Sequence, residues 1–232
     1  MLLEMIMGGA SFREIMIQLI MTIPIVLIAL TFHEVAHGWV SYKMGDPTAY
    51  NLGRLTLNPA KHLDPLGSLC MLLFGVGWAK PVPVNSRYYK KPKLGMALTA
   101  LAGPVTNILL GFVGLLLMNI ALYLPLIEGM NLRLWAIIVD FLYFFALMNV
   151  YLAVFNLIPI PPFDGSRIAF VFLPDRIYFG VMKYERIIQL VVLAALWSDI
   201  LDRPLEIAAD FILNGMDWLI SWMHVGIELL FW

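Results

Sequence analysis

Apolar residues run along this chain in long blocks separated by polar breaks, without the strict alternation of strands. The first block, from about Ile15 to Tyr42, is long enough for a bilayer-crossing helix, which needs about 20 apolar residues. Gly45-Asp46-Pro47 ends it, and residues 43–64 read as a polar loop. The next apolar run, Leu66 to Trp78, is 13 residues long. That is too short to span unaided, so a re-entrant or interfacial segment is expected. Residues 79–93 are basic and punctuated by proline. Two more spanning helices are predicted, from about Leu94 to Leu124 and from about Leu132 to Leu157. The second closes on Pro159, Pro161 and Pro162, followed by Asp164-Gly165. Apolar stretches at Ile187 to Trp197 and Leu205 to Trp232 complete the chain, as one span or two, and the Trp and His of the last suit an interface.

The predicted fold is therefore an all-α polytopic membrane protein. It has a core of three transmembrane helices, a re-entrant or edge-strand segment, and one or two C-terminal helices. No fixed-period repeat or inserted soluble domain is visible. A single membrane-embedded domain over residues 1–232 is expected, with its core at about 15–185 and a helical tail at about 186–232.

Composition agrees with the pattern. Of 232 residues, 61% are hydrophobic and 13% charged, against about half and a quarter in soluble domains. The net charge of −1 and the lack of a basic-aromatic motif give no sign of nucleic-acid binding. Cys70 is alone, which excludes an intrachain disulfide and a cysteine-based zinc site. The first ten residues carry no Lys or Arg, so no secretory signal with a positive n-region is expected.

Charge orients the segments. If Leu66 to Trp78 does not span, twelve Lys and Arg lie on one side, in residues 43–64, 79–93 and 165–186. Arg13, Arg133 and Arg203 lie on the other. That asymmetry makes the first side cytoplasmic, in a multi-pass protein of the cell membrane.

Inside the first block stands His33-Glu34-Val35-Ala36-His37. Positions i and i+4 share a helix face, so the two imidazoles can hold one metal ion, with Glu34 within reach of its water. Polar side chains at membrane depth cost a few kcal/mol each, which weighs against a pair of merely structural histidines. The predicted topology puts the end of the third helix on the same face of the membrane as this motif. Asp164 is thus the candidate oxygen ligand of a His-His-carboxylate zinc with one open position, although Pro-Pro-Phe-Asp-Gly is also good turn chemistry by itself. His62 reads as a solvated loop histidine rather than a fourth ligand. Val82, Pro83, Val84 and Asn85 suit either an extended edge that pairs with an unwound substrate or a rigid proline-rich connector. Asn107 is a weaker substrate-contact candidate, since an intramembrane Asn often ties helices together.

Three phrases together resemble the site-2 proteases, zinc metalloproteases that cleave within membranes. These are His33-Glu34-Val35-Ala36-His37, Ala102-Gly103-Pro104 with Asn107, and Asn156-Leu157-Ile158-Pro159-Ile160-Pro161-Pro162-Phe163-Asp164-Gly165. His62-Leu63-Asp64-Pro65-Leu66-Gly67 and Gly77-Trp78-Ala79-Lys80-Pro81-Val82-Pro83-Val84-Asn85 are similar to the compact bacterial branch without a PDZ domain. The resemblance covers roughly residues 20–185; the short Leu66 to Trp78 run and the acidic, Trp-rich tail depart from it.

It implies one Zn2+ per chain and hydrolysis of peptide bonds in or near transmembrane segments of membrane-protein substrates. Glu34 would act as general base on zinc-bound water. Asn156 would donate to the developing oxyanion, unless its amide only bonds backbone freed by the prolines. The alternatives are a metal-binding transporter and an inactive scaffold of the same fold. Neither needs a non-ligand carboxylate beside His33, and the repeated halves usual in transporters are not visible.

Overall fold

The computed structural model describes residues 2–74, 77–123, 131–198 and 200–231. Among the described residues it is built of helices, with no strand beyond an isolated antiparallel bridge between Leu63 and Ala79. In chain order they are α1 (Leu2–Met7), α2 (Phe12–Lys43), α3 (Thr48–Asn51), α4 (Pro65–Phe74), α5 (Pro92–Tyr123), α6 (Leu132–Asn156), α7 (Asp164–Ala169), α8 (Asp175–Met182), α9 (Glu185–Trp197) and α10 (Asp202–Phe231). Among the described residues three stretches, Phe12–Lys43, Pro92–Leu122 and Leu132–Asn156, are long and apolar enough to cross a membrane. They are the three predicted spans, each within three residues of the expected ends. The short Leu66 to Trp78 run forms only the ten-residue α4, about 15 Å long, half of a bilayer's hydrocarbon.

The chain divides into two compact units, Met1–Thr106 with Arg167–Phe172 and Asn107–Ser166 with Leu173–Trp232. In the first unit, α2 starts in a capping box: Ser11 Oγ accepts from Glu14 N, while Glu14 Oε2 accepts from Ser11 N at 2.7 Å. The helix runs unbroken through Pro24 and is polar inside and apolar outside near its end. Thr31, His33, Glu34, His37 and Ser41 are buried, whereas Ile20, Phe32 and Trp39 are exposed. A helix facing lipid is arranged that way, because hydrocarbon leaves polar groups only protein partners.

The end of α2 is a Schellman turn. Gly45 takes φ +106°, a conformation that glycine adopts without steric cost. Its N–H bonds to Tyr42 O at 3.0 Å, and that of Asp46 to Ser41 O at 3.1 Å. The turn folds Asp46 back beside the last turn of α2, where it is fully buried.

The second unit packs Leu115, Ala146, Val150, Val154, Ala209, Met216 and Ile220 into one core, with α10 lying along α6. Gly111 and Gly114 let α5 and α6 approach closely, since a β-carbon at Gly111 would sit 2.8 Å from Val150 Cγ2. The tail forms two helices, α9 and α10. The 30-residue α10 carries Glu206, Asp210 and Asp217 and is not among the stretches apolar enough to span.

Candidate metal centre and the carboxylate beside it

One turn of α2 brings His33 and His37 together, as i and i+4 on a helix must be. Their Nε2 atoms lie 3.0 Å apart, with the ring planes at 89°. His37 Nδ1 lies 2.7 Å from the carbonyl oxygen of Thr99. A carbonyl only accepts, so Nδ1 carries the proton and the lone pair of His37 is on Nε2. Tetrahedral zinc with bonds of about 2.0–2.1 Å sets two nitrogen ligands about 3.3 Å apart, a few tenths wider than this pair. The facing nitrogens therefore fit a cation shared between them.

Gly103 of α5 makes room for the rings. A β-carbon there would lie 2.5 Å from His33 Cε1 and 2.6 Å from His37 Cε1. Ala102-Gly103-Pro104 carries the family resemblance, but nothing in its residue types says that its glycine abuts both imidazoles.

Glu34 is buried, and its Oε2 accepts the N–H of Val82 at 2.8 Å. Gly38 permits that approach, because a β-carbon on it would meet Leu55 Cδ2 at 2.6 Å and Val82 Cγ1 at 3.1 Å. Further along, Asn85 donates its N–H to Asp46 Oδ2 at 2.7 Å. Of the predicted edge Val82, Pro83, Val84 and Asn85, two N–H groups are thus bound within the chain and Pro83 has none. Within this segment only the Val84 N–H has no partner among the described residues, which leaves it to pair with another strand.

The segment is fixed from the other side as well. Arg54 donates to Lys80 O at 2.7 Å and to Pro81 O at 3.2 Å, and Lys80 N donates to His62 O at 2.8 Å. His62 is buried to 1% exposure, which corrects the expectation of a solvated loop histidine. Its Nε2 meets Thr56 O at 2.8 Å, and its Nδ1 has no partner among the described residues.

Asp46 gathers four donors. Thr48 N (2.9 Å) and Thr48 Oγ1 bond to Oδ1; Ser41 Oγ (3.0 Å) and Asn85 N bond to Oδ2. Burial alone raises its pKa, but the donors from Asn85, Thr48 and Ser41 outweigh that and hold the carboxyl below its ordinary value. Nothing in the residue types marks Asp46 out beyond its place in the Gly45-Asp46-Pro47 break.

In the second unit, Asp164 opens α7, half-buried, in the tight turn that follows α6. Gly165 lies against the backbone of Leu157 and Ile158, where a β-carbon has no space. Asn156, the last residue of α6, donates its amide to Leu152 O at 2.9 Å, so in this state it bonds its own helix. Asn107 is fully buried and donates to Asn149 Oδ1 at 2.9 Å. This bond ties α5 to α6, as an intramembrane Asn often does.

Comparison with known proteins agrees with this chemistry. The model of "Peptidase family M50" matches residues 121–198. "Putative zinc metalloprotease YwhC" of Bacillus subtilis is 45% identical over 162 residues, 68% of this chain and 72% of that protein. A relative named in the same terms, MJ0611 of Methanocaldococcus jannaschii, is 33% identical over 139 residues, 59% and 62% of the two chains. Rip2 of Mycobacterium tuberculosis is 32% identical over 145 residues, with this chain spanning 52% of its length. No solved structure matches.

Proposed function

Because the chain belongs to peptidase family M50, as a membrane-embedded zinc metalloprotease, we propose that it cuts peptide bonds in or near transmembrane segments of membrane-protein substrates. The family's motifs support His33, His37 and Asp164 as the residues that would hold one zinc ion, two imidazoles and a carboxylate that would leave a fourth position for solvent or substrate. The observation that carries this reading is the pair of facing Nε2 atoms on a spanning helix, one residue from a buried carboxylate. Zinc bound there supplies a Lewis acid that polarises a carbonyl and acidifies water.

The chain's own residues supply the rest. Glu34 Oε2 is oriented by the Val82 N–H, which leaves Oε1 to take a proton from the attacking water and hand it to the leaving amine. Asn156 donates to the developing oxyanion once its amide leaves Leu152 O. A helical substrate hides its carbonyls in its own hydrogen bonds, so it must unwind before it is cut. The unwound strand pairs beside Val84, the one position of that edge with a remaining donor. The positive charge of the loops supports an active site towards the cytoplasmic side.

Metal analysis of the purified protein, joined to a cleavage assay on a panel of single-span membrane proteins, tests the reading. Glu34→Gln is expected to keep its zinc and lose cleavage. Full cleavage by that variant would overturn the assignment of the base.

A further inference from the structure

Asp46 is joined to the site along two routes, both within the first unit. One is a run of buried side chains. Ser41 Oγ lies 3.0 Å from Asp46 Oδ2 and 2.7 Å from Tyr89 Oη, Tyr89 Oη lies 3.0 Å from Thr99 Oγ1, and Thr99 O meets His37 Nδ1. Ser41, Asp46, Tyr89 and Thr99 are all at most 4% exposed. A carboxylate only accepts, so the direction of every bond follows. Ser41 gives its proton to Asp46, Tyr89 gives its own to Ser41, and Thr99 gives its own to Tyr89. Thr99 is held by its hydroxyl while its carbonyl accepts from His37. The other route runs through backbone: Asp46 holds the Asn85 N–H, and three residues earlier Val82 N–H holds Glu34.

We propose that Asp46 and Tyr89 are positioning residues: the chain from Asp46 to Thr99 fixes the ring and tautomer of His37, and the bond from Asp46 to Asn85 fixes the segment that orients Glu34. The inference rests on the metal reading of His33 and His37. Two observations make the arrangement more than a cluster of surface polars. All four side chains are buried, and the Schellman turn at Gly45 puts Asp46 there through backbone geometry alone. Partners of metal-bound histidines are worth about 10- to 100-fold in metal affinity when they touch the ring directly. Tyr89 acts one bond further out, so about 3- to 10-fold is expected of its hydroxyl.

The test uses the full chain with Tyr89→Phe, which cuts only the route to His37, and Asp46→Ala, which cuts both. Three quantities are read: zinc affinity by chelator competition, the His37 tautomer by nitrogen NMR of the zinc-free protein, and amide exchange of Val82 and Asn85. Tyr89→Phe is expected to weaken zinc about 3- to 10-fold and mix the His37 tautomers, with Val82 and Asn85 exchanging as in the parent. Asp46→Ala is expected to do the same and also speed both amides at least about tenfold. Parental affinity and tautomer in Tyr89→Phe overturn the proposal. So does faster exchange spread evenly over residues 31–106 in both variants, which marks general loosening. If Asp46→Ala does not fold, Tyr89→Phe alone decides. If the parent protein fails to bind zinc, the metal reading falls, and the tautomer and exchange data still judge the two routes.

Discussion

Gly103 and His33 are in such close contact that a β-carbon on Gly103 would lie 2.5 Å from the imidazole Cε1 and 2.6 Å from Nε2. His37 leaves no more space, with its Cε1 at 2.6 Å from the same point. Both rings would have to move, and ligand geometry tolerates only about 0.5 Å of error. Gly103→Ala is therefore expected to weaken zinc binding at least about tenfold with the helices intact. Chelator competition beside circular dichroism checks this; parental affinity in the folded variant contradicts it.

The two valines of the proline-rich segment are expected to behave differently when replaced by proline. Val82→Pro removes the N–H that Glu34 Oε2 accepts, a hydrogen bond to a charged group worth about 1.5–3 kcal/mol. A fall in kcat of about 10- to 100-fold with normal zinc content is predicted, whereas Val82→Ala keeps the N–H and most of the rate. Val84→Pro removes only the donor left for substrate and should raise KM instead. Steady-state kinetics on one substrate separate the two; equal effects at both sites would sink the distinction.

Asp46 gives a pH dependence with a definite sign. Its carboxyl is held below the ordinary 3.8 by its donors. A group with a depressed folded pKa contributes stability that is present above the unfolded value and lost as pH falls through the folded one. Asp46→Asn removes that titration, so the variant should be less stable near neutrality and lose less on acidification below about pH 4. The difference is at most one proton, about 1.4 kcal/mol per pH unit, and thermal midpoints measured down the acid limb report it.

Asn149 tests the opposite kind of intramembrane polar residue. It accepts from Asn107 and donates to Phe145 O at 2.8 Å, and both asparagines are fully buried. Asn149→Ala is expected to cost about 0.6–1.7 kcal/mol, the range for hydrogen bonds between membrane helices. Zinc affinity should not move, and a variant that loses zinc at unchanged stability would show that the pair serves the site.

What could be read in advance was whatever local periodicity encodes. The spacing of His33 and His37 fixes their shared face, and the length of each apolar block fixes which helices are long enough to span. Features assembled from distant segments could not be read. Tyr89 and Thr99 are ordinary residues until packing sets them between Asp46 and His37, 48 residues of loop and helix after Ser41 in the case of Tyr89. A loop position says nothing of the burial of His62, whose carbonyl accepts from Lys80, 18 residues on. Asn107 needed its partner 42 residues away. The residue types of Val82 to Asn85 suit an edge or a connector alike, because the sequence does not show that Glu34 and Asp46 occupy two of the segment's donors.

X-ray absorption at the zinc edge measures the ligand set directly on the purified protein. Two imidazole nitrogens and a carboxylate oxygen at about 2.0–2.2 Å are expected in the parent, with one oxygen ligand lost or replaced by solvent in Asp164→Ala. A spectrum with fewer than two imidazoles, or an Asp164→Ala variant that keeps the parental spectrum and affinity, would contradict the account.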